Sequence, residues 1–160
     1  MGHLNICIIV QISYPAATPE RHDRRASMAG MADPLRFPIR FTSANGLLFR
    51  GLLVPPSAAY VELTDDAVHV RLGWAFSARI PRRLVTSAGP GKRPTIPLTA
   101  GAHGWNGRWL VNGAPDGIVA VELREPVRAF TAGFPIRLKL LAVSLEDPDG
   151  FLAALGAPAR

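Results

Sequence analysis

A chain of 160 residues, 48% of them apolar, holds the material for one domain with its own core. The 15 glycines and 15 prolines lie between short apolar runs, which points to many turns and few long helices. The single cysteine, Cys7, excludes an internal disulfide, and the net charge of +6 directs attention to acidic partners.

The first thirty residues do not read as part of a domain. The apolar piece Leu4–Ile12 is too short for a bilayer span, which takes roughly 20 residues, and only His3 stands where a signal peptide carries its basic region. Prolines 15 and 19 and the charged cluster Glu20–Arg25 follow. Residues 1–30 are expected to form a disordered extension, with Met28 or Met31 as the physiological start. Residues 31–160 are expected to be a single β-barrel-like domain.

From Pro34 onward the pattern is that of strands. In "LRFPIRFT" Leu35, Phe37, Ile39 and Phe41 share one face and Arg36, Pro38, Arg40 and Thr42 the other. Pro38 has no N–H to donate, so one side of this strand should be an edge. "TSANG", 42–46, reads as a turn, and "LLFRGLLV", 47–54, as a strand with a bulge at Gly51 or an irregular segment. "AYVEL" precedes a turn at Asp65-Asp66. Then Val68, Val70 and Leu72 alternate with His69 and Arg71. After a bend near Gly73, Trp74, Phe76, Ala78 and Ile80 resume the apolar face, which assigns Trp74 to the core. "RRLVTSAG" is a shorter strand. "PGKRPTIPLTAG", with three prolines, is a loop.

The stretch "GAHGWNGRWLVNGAPDG", 101–117, holds two Asn-Gly pairs. Asn106-Gly107 suits a two-residue hairpin turn, because both of its positions need positive φ. Trp105 and Arg108 then flank the turn, and Trp109 should be more buried than Trp105. The second pair opens "NGAPDG", 112–117, which reads as another turn leading into "IVAVEL". "IVAVEL" buries Val119, Val121 and Leu123. "FPIRLKLLAVSLE" changes apolar parity from Ile136, Leu138 and Leu140 to Leu141, Val143 and Leu145, so a bulge is expected near Leu140-Leu141. "EDPDGFLAALG" is the one clear helix, with Asp147 as N-cap, Pro148 at its first position and Gly156 as its stop. Phe151, Leu152 and Leu155 form its apolar stripe.

The elements add up to a mostly β fold: a curved antiparallel sheet or partly open barrel of six to eight strands, closed by one C-terminal amphipathic helix. That plan resembles the pleckstrin-homology-like superfold over residues 34–156. "VHVRLGWAFSARIPRRLV" resembles the third-to-fourth strand region of its bacterial members. "HGWNGRWLVNG" with "VSLEDPDGFLAAL" is similar to a group of uncharacterised actinobacterial proteins of about this size. The resemblance implies a binding module and no particular activity. Eukaryotic members often bind phosphoinositides through Lys and Arg in the first hairpin loop; the matching "TSANG" has neither, so that ligand is not implied.

Between Asp66 and Asp116 there is no acidic residue, while Arg71, Arg79, Arg82, Arg83, Lys92, Arg93 and Arg108 fall inside the interval. Such a segment either builds a positive surface for an acidic protein or an anionic membrane, or it serves only solubility. The candidate contact residues are Arg79, Arg82, Arg83, His103, Trp105 and Arg108. No phosphate-binding glycine loop, metal-ligand spacing or nucleophile–base arrangement is present, so neither a cofactor nor catalysis is expected. Nucleic acid is not expected, because Trp74 and Phe76 fall on the apolar parity instead of interleaving with the bases. The expectation is a non-enzymatic binding domain, cytoplasmic or peripheral to a membrane and without a transmembrane segment. A small-molecule-binding barrel and an enzyme of unrecognised type are the alternatives.

Overall fold

The computed structural model describes residues 33–43, 45, 55–94 and 100–156. Nine strands belong to one sheet: β1 (Leu35–Pro38), β2 (Ala59–Leu63), β3 (Ala67–Leu72), β4 (Phe76–Pro81), β5 (Val85–Pro90), β6 (Gly101–Trp105), β7 (Arg108–Asn112), β8 (Ile118–Thr131) and β9 (Phe134–Ser144). One helix follows, α1 (Pro148–Gly156). The strand order is β1-β2-β3-β4-β8-β9-β7-β6, with β5 also paired to β8. The sheet is not closed, and this is the expected mostly β plan with a strand more than the six to eight read from the sequence. The expectations for residues 1–30 and for a strand at 47–54 lie outside the described residues.

β8 is the longest strand, and only its first half was legible as "IVAVEL". One side of it pairs β9 from Ile118↔Ser144 to Thr131↔Phe134. Its other side pairs β5 through Val119–Leu123 and β4 through Ala129–Thr131. The continuation "REPVRAFT" is charged and contains Pro126, which hid it. The proline is accommodated because the ladder is broken between Glu122 and Val127. β9 carries its own irregularity at the expected place. The N–H groups of Lys139 and Leu140 both donate to the Gly107 carbonyl, at 2.7 and 3.0 Å. Two successive donors on one acceptor mark a bulge. It lets Leu138 on one side and Leu141, Val143 and Leu145 on the other all reach the core.

The core lies on the inner face, filled by Val61, Val70, Leu72, Phe76, Ile80, Val121 and their neighbours. α1 packs onto it through Phe151, which is fully buried and meets Phe37 edge to face at 5.3 Å. Asp147 Oδ1 accepts from the Gly150 N–H at 2.9 Å, the expected N-cap. Leu152 and Leu155 are half-buried against the same cluster.

β1 reads as an edge strand, and its continuation curls toward the far strands. Ile39 bridges Leu145, Phe41 bridges Gly113, and the Pro38 carbonyl accepts from Glu146 N–H at 3.1 Å. Pro38 presents its missing donor on that outer side, as its chemistry requires. Leu35 departs from its expected face-sharing burial: at the start of the strand it is 53% exposed. Removing the Phe151 ring should cost about 3–5 kcal/mol, the usual range for emptying an aromatic site. Urea unfolding of Phe151→Ala measures it, and a loss under about 1 kcal/mol would mean that the helix does not close the core.

Candidate functional site

The expected arginine patch does not assemble. β4, with Arg79, is separated from β7, with Arg108, by β8 and β9. Three strand spacings of ~4.8 Å make a path of ~14 Å along the sheet between these strands. Nor is the interval acid-free in space, since the aspartates that bound it fold back onto it. Asp66 Oδ2 accepts from Arg79 at 2.5 Å, and Asp116 pairs with Arg93. Arg82 is turned to the helix end, donating to Leu155 O at 2.8 Å and Ala154 O at 3.3 Å. Those are carbonyls that α1 leaves without intrahelical partners, so Arg82 acts as a C-terminal cap. Arg83 is exposed on the short 3-10 turn Arg82–Leu84. Arg108 is exposed at the start of β7, directly opposite Trp105.

Two tryptophans behave as read and one does not. Trp105 is 87% exposed beside the turn formed by Asn106 and Gly107, whose φ values are 50° and 79°. Trp109 is half-buried, 6.1 Å from Phe76, and lies over Gly104, where a β-carbon would collide with its ring. Trp74, expected in the core, is 61% exposed. Leu72 pairs directly with Phe76, so Gly73, Trp74 and Ala75 form the turn between β3 and β4 and the tryptophan leaves the strand face. Gly73 adopts φ 52°, which makes that turn possible. The turn read over 112–117 is present as a bend at 114–117 that leads into β8, and it begins two residues later than the sequence suggests. Asn112 is the buried last residue of β7, and Gly113 is small so that Phe41 and the Arg40 carbonyl can pass. His103 is half-buried in β6, opposite Leu110. Among the described residues no three of His, Cys, Asp and Glu gather as a metal site would require.

What the fold does gather is the outer face of β1 to β4, β8 and β9. The register sets Arg36, Glu62, His69 and Arg79 in one row across β1 to β4. A second row runs Tyr60, Arg71, Ser77, Phe130 and Pro135 across β2, β3, β4, β8 and β9. Arg128 and Arg137 stand directly opposite each other on β8 and β9. An open groove of about 450 Å³ crosses this face between Tyr60, Glu62, His69, Arg71, Arg79, Arg128 and Phe130.

The charges on this face are unevenly balanced. Arg36 lies 3.4 Å from Glu62 and 3.7 Å over the Tyr60 ring, and Arg128 lies 5.2 Å over Phe130. Among the described residues Arg71, Arg128 and Arg137 have no carboxylate within ion-pair distance. Like charges directly opposed across a ladder are destabilising, so Arg128 and Arg137 oppose the stability of their own hairpin. The linear reading passed over this pair because both arginines lie outside the acid-free interval, and Arg128 follows Glu125 closely. Parity did mark Arg36, Arg71, Arg79 and Arg137 as outward-facing; only strand order shows that they are neighbours.

Asp66 governs how basic one edge of the face is. Its carboxyl is held below the ordinary value by the Thr64 hydroxyl at 2.7 Å, then by the charges of Arg79 and His69. A depressed carboxyl keeps its pairing above the ordinary carboxylate range and loses it as pH falls through the lowered value. Thr64→Val should raise the Asp66 titration toward its ordinary value in an NMR titration; an unchanged midpoint would assign the effect to Arg79. Iodide should quench single-tryptophan variants in the order Trp105, Trp74, Trp109, and equal quenching of all three would contradict the turn at Gly73–Ala75.

Comparison with protein-family models, curated proteins and solved structures found no match. The chemistry of the outer face therefore carries the functional reading by itself.

Proposed function

We propose that this is a non-enzymatic binding domain that takes an anionic partner on the outer face of β1–β4, β8 and β9. The opposed pair Arg128 and Arg137 carries the reading. Two arginines directly opposed across a ladder, with no carboxylate among the described residues at ion-pair distance from either, are an unfavourable arrangement that a bound anion relieves. Arg71 adds a third uncompensated charge on the same face. The mostly antiparallel sheet and final helix, with β7 and β9 the one parallel pair among the named strands, support the plan on which the pleckstrin-homology-like resemblance rests, and that resemblance also favours a binding module.

A small-molecule-binding barrel is less well supported. The inner face is occupied by fully buried side chains such as Phe76, Leu138, Leu141 and Phe151, and the groove beside the arginines is open to solvent. Catalysis has less support still, since His103 sits on β6, outside that groove.

Binding through exposed arginines should weaken as salt rises, because the screening length is about 10 Å at 0.1 M. Against an anionic surface each such residue contributes about 1 kcal/mol, so three together amount to about a hundredfold in affinity. Retention on a poly-glutamate resin at low salt, and its loss in Arg71→Glu/Arg128→Glu/Arg137→Glu at an unchanged melting temperature, is the expected result. A parent protein that passes through the resin at low salt would refute the reading.

A further inference from the structure

We infer that the anionic partner is a membrane surface, and that the domain docks on it with the sheet end formed by the β3–β4 and β8–β9 turns, inserting Trp74 and Phe134. The inference rests on the basic outer face proposed above and names what that face meets.

The two turns are in contact. Ala132 N–H and the Thr131 hydroxyl both donate to the Ala75 carbonyl, at 3.0 and 3.2 Å. Each turn carries a large aromatic side chain in solvent, Trp74 at 61% and Phe134 at 72% exposure. Neither tip bears a charge: the sequences are Gly73-Trp74-Ala75 and Thr131-Ala132-Gly133-Phe134. Phe130, also exposed, lies just behind them. Exposed aromatic side chains in hairpin tips cost solubility, so two of them in adjoining turns call for an apolar phase in front of them.

The cations stand at the depth a membrane surface would need. Arg71 precedes Trp74 by three residues, Arg137 follows Phe134 by three, and Arg128 is directly opposite Arg137. At ~3.3 Å per residue the guanidinium rank begins ~10 Å behind the aromatic tips. Interfacial anchors bury their apolar face ~5–10 Å, to the boundary between headgroups and acyl chains, and arginine stems reach back to the phosphates. Two clusters of acidic groups lie at the opposite end, while Glu62, paired with Arg36, and Glu122 and Glu125 stand part-way along β2 and β8. Asp65 and Asp66 occupy the β2–β3 turn, and Glu146, Asp147 and Asp149 surround the start of α1. An acidic protein would satisfy the arginines and leave the two tips in water. A membrane satisfies both. Among the described residues no helix is long and apolar enough to cross a bilayer, so attachment through this end is peripheral.

Trp105 provides a control within the same protein. Gly107 of its turn is held at Lys139, five residues along β9 from Phe134, or ~17 Å behind the tips. Trp105→Ala should leave membrane binding within about twofold.

The test is flotation of the full chain with phosphatidylcholine vesicles and with vesicles of phosphatidylcholine mixed with phosphatidylglycerol, alongside the poly-glutamate resin. The parent should float with the anionic vesicles only. Trp74→Ala/Phe134→Ala should lose about tenfold or more in partitioning, the factor expected for withdrawing one or two aromatic side chains from an apolar phase. It should keep its resin retention and melting temperature. Lipids brominated near the headgroup should quench the parent's fluorescence and leave Trp74→Phe unquenched. Equal flotation of the double variant and the parent would overturn the inference. So would a parent held by poly-glutamate but not by vesicles, which would leave the anion-binding reading standing with a protein as partner. A parent held by neither would overturn both.

Discussion

The β8–β9 ladder is the constraint from which the rest of the architecture follows. β8 is hydrogen-bonded along one side to β9 and along the other to β5 and then β4, so every branch of the sheet reaches the core through it. A ladder this long with a strict period of two would send the second half of β9 to the wrong face. The break between Glu122 and Val127, and the paired donors of Lys139 and Leu140 on Gly107, absorb the change in parity. They also seat β7 beside β9 in parallel register, from Arg108↔Leu140 to Val111↔Val143. Without that slack Leu141, Val143 and Leu145 would face water.

Filling one face leaves the other to polar side chains, and here that second face is unusually one-signed. Arg36, Arg71, Arg79, Arg128 and Arg137 converge from five different strands. Glu62 answers Arg36 and Asp66 answers Arg79; no carboxylate among the described residues answers the other three. Exposed ion pairs contribute little to stability, so those that are present do not account for the arrangement. The charge is also distributed along the strands. Carboxylates cluster by the helix and the β2–β3 turn, while the opposite end carries Arg71, Arg128 and Arg137 and two turns with exposed aromatic side chains. Such a separation orients a protein in an external field or at an interface.

Arg82 shows how a sequence signal can be correct in chemistry and wrong in purpose. It leaves the end of β4 as a proline requires, yet it turns inward to the last carbonyls of α1. The helix is therefore held at both ends: Asp147 closes its first turn and Arg82 its last, while Phe151 seals the middle. That link couples the end of β4 to the closure of the core. It also removes Arg82 from the set of residues available to a partner.

Local chemistry determined much of this protein in advance. Alternation in "AVHVRL", "FSARI" and "IVAVEL" named the buried residues; Asn106-Gly107 placed a hairpin; Asp147-Pro148 opened the helix; and the parity change in β9 required a bulge. Each depends on residues a few positions apart, where steric limits and the period of the strand act without knowledge of the rest. Trp74 escaped that reasoning because Gly73 can either continue a strand or turn it, and the direct pairing of Leu72 with Phe76 decided between them. The need for glycine at 113 escaped it because that residue answers to Phe41, seventy-two residues earlier. The arginine face and the neighbouring aromatic turns belong wholly to the tertiary structure. Parity says which way an arginine points, but strand order says which arginines stand together, and that order follows from packing between segments far apart in the chain.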